Sequence, residues 1–289
     1  MKPTPLPTRS RHEVGPREPS PALTKRTEEE KVEERVAIGA HIVYETIRRE
    51  GEEELRRSSS ALAWSGLAAG LSMGFSLVAE GLLAAYLPDR PWTPLFSKLG
   101  YSVGFLIAIL GRQQLYTEAT LTAIIPFLAH KKMSTAVKVV RLWAVVLLAN
   151  LVGTYLFALC IGRASIFDPH IQQALMDVSG GQANAGFPTV LLRAIFAGWL
   201  IALMVWLLPG AETSRVSIII IITYLIGLGG FNHIIAGSNK FYYLIVIGGE
   251  TWRNYLVRFF IPTLIGNIIG GVSLVAFLGH AQVVSGKKT

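Results

Sequence analysis

Long apolar stretches separated by short polar segments make up the chain after residue 60. A helix of about 20 mostly apolar residues crosses the roughly 30 Å hydrocarbon core of a bilayer. Six stretches reach that length, and they cover residues 61–87, 99–129, 137–161, 189–208, 216–247 and 255–278. The second and fifth are too long for one straight crossing, and glycine and polar residues interrupt both. The pattern therefore predicts six transmembrane helices, of which the second and fifth are broken.

The first 60 residues contain no long apolar stretch. Six prolines among polar residues in the first 24 positions predict a disordered tail over residues 1–26. Thr27 and Glu30 have the spacing of a capping box that opens a helix. Apolar residues then recur every three or four positions, at Val32, Val36, Ala40, Val43 and Ile47. We therefore expect a cytoplasmic amphipathic helix over residues 27–58, interrupted or ended at Gly51. Such a helix is either a regulatory segment under the membrane domain or a solvated helix packed on that domain or on a neighbouring subunit.

Composition and charge indicate the class of protein. Of the 289 residues, 51% are hydrophobic and 16% are charged, whereas an average soluble domain has about 25% charged residues. Residues 1–60 contain 12 Lys or Arg and 12 Asp or Glu, so the whole net charge of +8 lies in the apolar remainder. Its basic residues fall in short clusters between apolar runs, which argues against a nucleic-acid partner. A single cysteine also excludes a disulfide scaffold, and we expect a multi-pass membrane protein.

Basic residues near the ends of the apolar stretches predict the orientation. The segment between the second and third stretches is the most basic one, with Lys131, Lys132, Lys138 and Arg141. Basic residues near the opposite ends, Lys98 and Lys240 among them, are more scattered. Because basic loops stay in the cytoplasm, we expect an inner membrane protein with both termini cytoplasmic. The transmembrane channel domain is then expected over residues 61–280, followed by a short C-terminal tail over residues 281–289.

The two halves of the apolar region share a pattern. The interruption of the second stretch contains Gly111, and that of the fifth contains Gly229, 118 residues later. An Asn-x-x-Gly motif begins at Asn150 in the third stretch and at Asn267 in the sixth, 117 residues apart. Three spans per half require the halves to insert in opposite directions, and interrupted helices at membrane depth are tolerated only around a cavity. The pattern predicts a transporter built from two inverted three-helix repeats, with a chance match of short motifs as the alternative.

Three segments resemble the formate/nitrite transporter family. GGFNHIIAGS around His233 is similar to the family signature, and LIGNIIGG and GRQQLYTEAT match the family pattern in order and spacing. The resemblance covers roughly residues 61–280. It implies an all-α, aquaporin-like fold with one pore in each subunit of a homopentamer in the lipid bilayer. It also implies a channel or transporter for small monovalent anions of weak acids, such as formate or nitrite, and no cofactor or metal.

His233 is the histidine that lies within an apolar stretch, at the interruption of the fifth. An ionisable group at that depth is a functional-site hypothesis by default. Imidazole can donate to a small anion and can protonate it, and a neutral acid crosses an apolar constriction more cheaply than its anion. Thr117 in the opposite interruption is the expected partner, with Asn232 beside the histidine. A buried histidine that bonds a backbone carbonyl is the alternative.

The resemblance further implies two apolar constrictions around the histidine. Phe105, Leu115 and Tyr116 would form the inner one, and Tyr101 and Ile226 the outer one. Without the family, these residues are ordinary parts of transmembrane helices.

Several positions depart from the family pattern. Asn232 replaces an acidic residue before the histidine, and Gly198 stands where the fourth span usually has an asparagine. Arg112 and Glu118 make the interruption of the second stretch more polar than in formate channels. These departures indicate a divergent branch and leave the transported anion open.

Charged residues in and near the apolar stretches are further candidates. The outer loop of formate channels has an anion-attracting lysine that is missing here, and Arg193 either replaces it or marks the end of a span. Glu80, deep in the first stretch, either pairs with Arg112 or Arg193 or extends toward the surface.

Two other function classes are weaker. An intramembrane serine protease would need a Gly-x-Ser-x-Gly type of nucleophile, and a zinc protease two histidines four residues apart, and the sequence has neither. A non-conducting membrane scaffold or sensor stays an alternative because of Asn232 and Gly198.

Overall fold

The computed structural model describes residues 39–181, 185–211 and 213–276, and every regular element in these ranges is helical. The expected N-terminal tail, the start of the expected amphipathic helix and the C-terminal tail lie outside them. The α-helices are α1 Ala40–Arg56, α2 Ser59–Tyr86, α3 Thr93–Ser97, α4 Ser102–Leu110, α5 Tyr116–His130, α6 Met133–Arg163, α7 Pro169–Gly180, α8 Phe187–Leu207, α9 Arg215–Leu228, α10 Ile234–Val246, α11 Trp252–Asn254 and α12 Ile261–Ile269. Short 3₁₀ segments follow α3 and α8, at Lys98–Tyr101 and Leu208–Gly210, and π-helical segments flank α12, at Tyr255–Phe260 and Gly270–Ala276.

Within the described ranges, five helical stretches are long and apolar enough to cross a membrane. They are Ser59–Tyr86, Thr93–Leu110, Met133–Arg163, Phe187–Gly210 and Trp252–Ser273, and Arg215–Leu228 is a shorter apolar helix. The second and fifth predicted spans each consist of two helices, α4 with α5 and α9 with α10. The prediction of two broken helices is therefore confirmed, and the arrangement is consistent with a six-span inverted repeat.

The two interruptions have the same backbone geometry. Gly111 and Gly229 end the preceding helices with φ and ψ of −74° and 1° and of −73° and −5°. The next residues, Arg112 and Gly230, are both left-handed, with φ of 50° and 61°. The first half thus places an arginine in a conformation that favours glycine. The following helices begin after extended residues with φ and ψ of −100° and 127° at Leu115 and of −101° and 127° at the equivalent His233.

Two buried asparagines satisfy the backbone groups that the interruptions free from helical pairing. Asn150 accepts from the Tyr116 amide at 2.9 Å and donates to the Gln114 and Gly66 carbonyls at 2.9 and 2.7 Å. Asn267 repeats this in the second half. It accepts from the Ile234 amide at 2.8 Å and donates to the Asn232 and Ala194 carbonyls, both at 2.8 Å. Each side chain thereby pairs two backbone groups of an interruption that water cannot pair at this depth. Its third hydrogen bond ties the interruption to a carbonyl of a neighbouring helix, α2 or α8.

Helix α1 packs against α5, and the expectation that Gly51 ends or interrupts it is wrong. The helix continues to Arg56, and Gly51 is buried where a Cβ atom would lie 2.0 Å from the Thr122 carbonyl oxygen. The glycine therefore permits close contact between two helices rather than marking a boundary. Val43, Tyr44 and Ile47 add an apolar contact with α5 and α8.

Substituting Gly51 with alanine should release α1, although alanine favours an isolated helix by about 1 kcal/mol over glycine. We expect trypsin to cleave at Arg48 and Arg49 several-fold faster, because the added methyl group cannot fit against α5. Gly39→Ala is the matched control, since no atom lies within 4 Å of its added Cβ. Equal cleavage rates in the two variants would contradict the assignment.

Candidate functional site

The interruptions bring His233 and Thr117 together in the interior. Thr117 Oγ1 lies 2.8 Å from His233 Nε2, and the Ala236 amide donates to His233 Nδ1 at 3.3 Å. A ring nitrogen that accepts a hydrogen bond has no proton, so the neutral imidazole has its proton on Nε2 and donates to Thr117. The Thr117 hydroxyl hydrogen then remains for another acceptor. His233 has no solvent exposure, and Thr117 is 1% exposed.

Apolar side chains enclose this pair. The edge of the Phe105 ring meets the His233 ring with centroids 4.9 Å apart, and the Tyr101 ring lies 5.4 Å beyond Phe105. Leu115 and Ile226 are also buried. Tyr116 packs with its ring against Trp143 of α6, at 6.5 Å. Phe105 and Tyr101 thus form a continuous line of rings from the histidine toward the start of α4.

Asn232 lies beside the histidine with an unused acceptor. Its Nδ2 atom is 3.4 Å from the Val190 carbonyl oxygen, and its backbone oxygen accepts from Asn267. Its Oδ1 atom is buried and has no hydrogen-bond partner among the described residues. A buried carbonyl oxygen without a partner is uncommon and suits a water molecule or a donor ligand.

A cavity of about 400 Å³ lies between α1 and the interruption of the second span. Arg112, Gln113, Gln114, Leu115 and Glu118 line it from the interruption. From the other elements it is lined by charged residues of both signs, Glu50, Glu53, Glu54, Arg57 and Arg215. Leu115, which the resemblance assigns to the inner constriction, is thus buried at the wall of this polar cavity.

Glu54 anchors α1 at the wall of this cavity. Its carboxylate accepts from Gln114 Nε2 at 2.9 Å and from Thr122 Oγ1 at 2.7 Å. Burial raises the pKa of the Glu54 carboxyl, and these two hydrogen bonds counteract part of that effect. The sequence pattern predicts a helix at Glu54 but does not indicate its hydrogen bonds to Gln114 and Thr122.

The partners of Glu80 differ from those considered from the sequence. Its two carboxylate oxygens bind the ammonium groups of Lys98 and Lys240, the latter at 2.7 Å, rather than Arg112 or Arg193. Arg112 lines the cavity near α1, and Arg193 lies partly buried in α8. The sequence led us to expect Lys240 near the end of a span. In the structure it is instead buried within α10. An ionisable residue inside the fifth apolar stretch was the sequence signal for it.

Comparisons with known proteins agree with this geometry. The sequence profile of the formate/nitrite transporter family matches residues 41–281. Inner membrane protein YfdC of Escherichia coli K12 is 41% identical over 251 residues, covering 87% of this chain and 81% of that protein. Formate channel BtFdhC of Bacillus thuringiensis is 28% identical over 243 residues, covering 81% and 92% of the two chains.

Solved structures have the same fold. A pentameric formate channel with formate bound aligns with a TM-score of 0.66 at 21% identity, covering 78% of this chain and 98% of that one. A second structure, described as an FNT family ion channel, aligns with a TM-score of 0.70 at 18% identity, covering 84% and 98%. The resemblance noted around His233 is confirmed across most of the sequence. The chain belongs to the formate/nitrite transporter family.

Proposed function

We propose that this chain is a channel or transporter for small monovalent anions of weak acids, with His233 and Thr117 at the centre of its pathway. The observation that carries the proposal is the 2.8 Å contact between these two residues, each from a different interrupted span. Family membership and the fold shared with formate channels support it. An inner membrane location is supported by the relative described as an inner membrane protein, and a homopentamer by the pentameric structural relative.

The geometry favours hydrogen-bond donation by the histidine over direct proton delivery. Protonating the anion from a neutral ring would leave an imidazolate, and a second ring proton would have to displace the Ala236 amide from Nδ1. The Nε2 proton instead orients Thr117 Oγ1, whose hydroxyl hydrogen can be donated to the passing anion. A co-transported proton would then come from the aqueous side and travel with the substrate as the neutral acid.

The apolar residues select against permanently charged species. Phe105 is fully buried against the histidine, and Leu115 is buried two residues before Thr117. Moving an ion into such apolar surroundings costs far more than moving its neutral acid. Anions of weak acids can be neutralised at the entrance, whereas anions of strong acids cannot. The size of the acid then limits which species can pass the Phe105 and Tyr101 rings and reach Thr117.

A transport assay in proteoliposomes tests the proposal. Formate, nitrite, hydrosulfide, lactate and acetate are compared at several pH values, with empty liposomes and the E. coli relative measured in parallel. We expect saturable uptake of the smaller anions that increases as the external pH falls toward the pKa of each acid. A rank order unrelated to size or pKa, or uptake no faster than in empty liposomes, would contradict it and favour a non-conducting scaffold or sensor.

A further inference from the structure

Glu80, Lys98 and Lys240 form a buried charged triad. Glu80 in α2 has no exposure, and its two oxygens each bind one lysine. The Lys240 side chain is 4% exposed and that of Lys98 24%. Lys240 Nζ also donates to the Val178 carbonyl of α7 at 3.2 Å. One carboxylate and two ammonium groups leave a formal charge of +1.

The triad adjoins the line of rings that leads to the histidine. Lys240 Nζ lies 5.7 Å from the centroid of the Tyr101 ring, which contacts Phe105, which in turn contacts His233. Tyr101 precedes α4, whereas the α1 cavity lies at the end of α4. A nine-residue helix is about 13 Å long. The triad is therefore at the opposite end of the pathway from the cavity.

The excess charge is not needed to hold the helices together. One carboxylate and one lysine would suffice to connect α2 with α10, and the second, partly buried ammonium group of Lys98 adds a desolvation cost. The α1 cavity has four glutamates against three arginines in its lining. The positive charge that adjoins the pathway is thus concentrated at the Tyr101 end.

We infer that the triad of Glu80, Lys98 and Lys240 is the anion-selective element of this transporter, acting through its single excess positive charge at the Tyr101 end. Its members do not touch the anion. They set the electrostatic potential over Tyr101 and so increase the local concentration of anions relative to cations. The inference rests on the proposed function, because it assigns a selectivity element to the same pathway.

Variants that differ in charge but not in position test this inference. Lys98→Gln removes the excess charge, and Lys98→Arg keeps it. Glu80→Gln with Lys240→Gln removes the buried pair and keeps the charge at +1. Arg90→Gln is the matched control, because Arg90 is an exposed basic residue just before α3, whereas Lys98 directly follows α3. Half-saturating formate concentration and melting temperature are measured for each.

Lys98→Gln should raise the half-saturating formate concentration about five-fold at low salt, with a smaller effect at high salt. Lys98→Arg and the double variant should stay within about two-fold of the unsubstituted protein, even where the double variant melts lower. A purely structural triad predicts the reverse order, with the double variant most impaired. If Lys98→Gln behaves like Arg90→Gln, the inference is wrong, whether or not the double variant folds.

The unsubstituted protein separates the two proposals. If none of the charge variants alters formate uptake, the inference about the triad is wrong and the proposed function still stands. No uptake by the unsubstituted protein would overturn the proposed function, and the triad with it.

Discussion

Replacing Asn267 with leucine should prevent the protein from reaching its native fold in useful yield. Leucine is similar in volume, but it leaves the Ile234 amide and the Asn232 carbonyl without a partner and removes the bond to the Ala194 carbonyl of α8. Each unsatisfied buried group costs about 1–3 kcal/mol, so the two together cost about 2 kcal/mol or more. That is a large part of the stability of a typical protein. Yield of monodisperse protein in detergent and melting temperature measure the effect.

Asn150→Leu should have a similar effect, because it holds the first interruption with the same three bonds. Asn254→Leu is the matched control, since its amide bonds only the Glu250 carboxylate near the helix terminus. We expect the control to fold with nearly unchanged melting temperature. If either buried variant were as stable as Asn254→Leu, these side chains would not hold the interruptions.

The second large effect concerns Thr117 and His233 acting as one unit. Thr117→Val keeps the shape of the side chain and removes the hydroxyl that accepts from His233 Nε2. We expect anion uptake to fall at least ten-fold, because the imidazole loses its acceptor and the anion loses its donor. Combining Thr117→Val with His233→Ala should lower uptake little further than His233→Ala alone, as for groups that function together.

Thr120→Val is the control for this cycle. Thr120 is as deeply buried on the same helix, and its hydroxyl bonds only the Thr117 carbonyl within that helix. Uptake by Thr120→Val should stay close to that of the unsubstituted protein. Additive losses from the Thr117 and His233 substitutions would mean that the two residues act separately.

The sequence predicted the interruptions because their signals are local. Gly111 and Gly229 with polar neighbours break an apolar run, and their equal spacing predicted two similar halves. The Asn-x-x-Gly motifs at Asn150 and Asn267 were also visible. Their hydrogen bonds were not, because which carbonyl an amide reaches depends on how distant helices pack.

The roles of two glycines also depend on how distant helices pack, which the local sequence does not show. A glycine within an amphipathic pattern predicts that the helix ends or is interrupted at Gly51, but its lack of a side chain permits close contact with α5. Gly198 departs from the family pattern, which usually has an asparagine at this position of the fourth span. A Cβ there would lie 2.4 Å from the Asn267 carbonyl oxygen, and the first half has a matching contact between Gly70 and Asn150 at 2.3 Å. Close packing of helices explains both glycines.

The charged residues were the least predictable. The sequence leaves open whether Glu80 pairs with an arginine or extends toward the surface. Its pairing with Lys98 and Lys240 depends on the position of α10 and of the 3₁₀ segment before α4. Lys98 and Lys240 lie 18 and 160 positions after Glu80, and no local sequence pattern indicates pairing over such separations. Depth in an apolar stretch marks Glu80 as unusual, and the same signal applies to Lys240, which the pattern of basic residues groups with the flanking residues instead.

Uptake of labelled formate into proteoliposomes, compared between the unsubstituted protein and His233→Asn at the same protein density, tests the central claim most directly. We expect saturable uptake by the unsubstituted protein and a clearly altered rate in the variant, with both proteins folded and similarly oligomeric. Identical rates in the two proteins, or no uptake above empty liposomes in either, would contradict it.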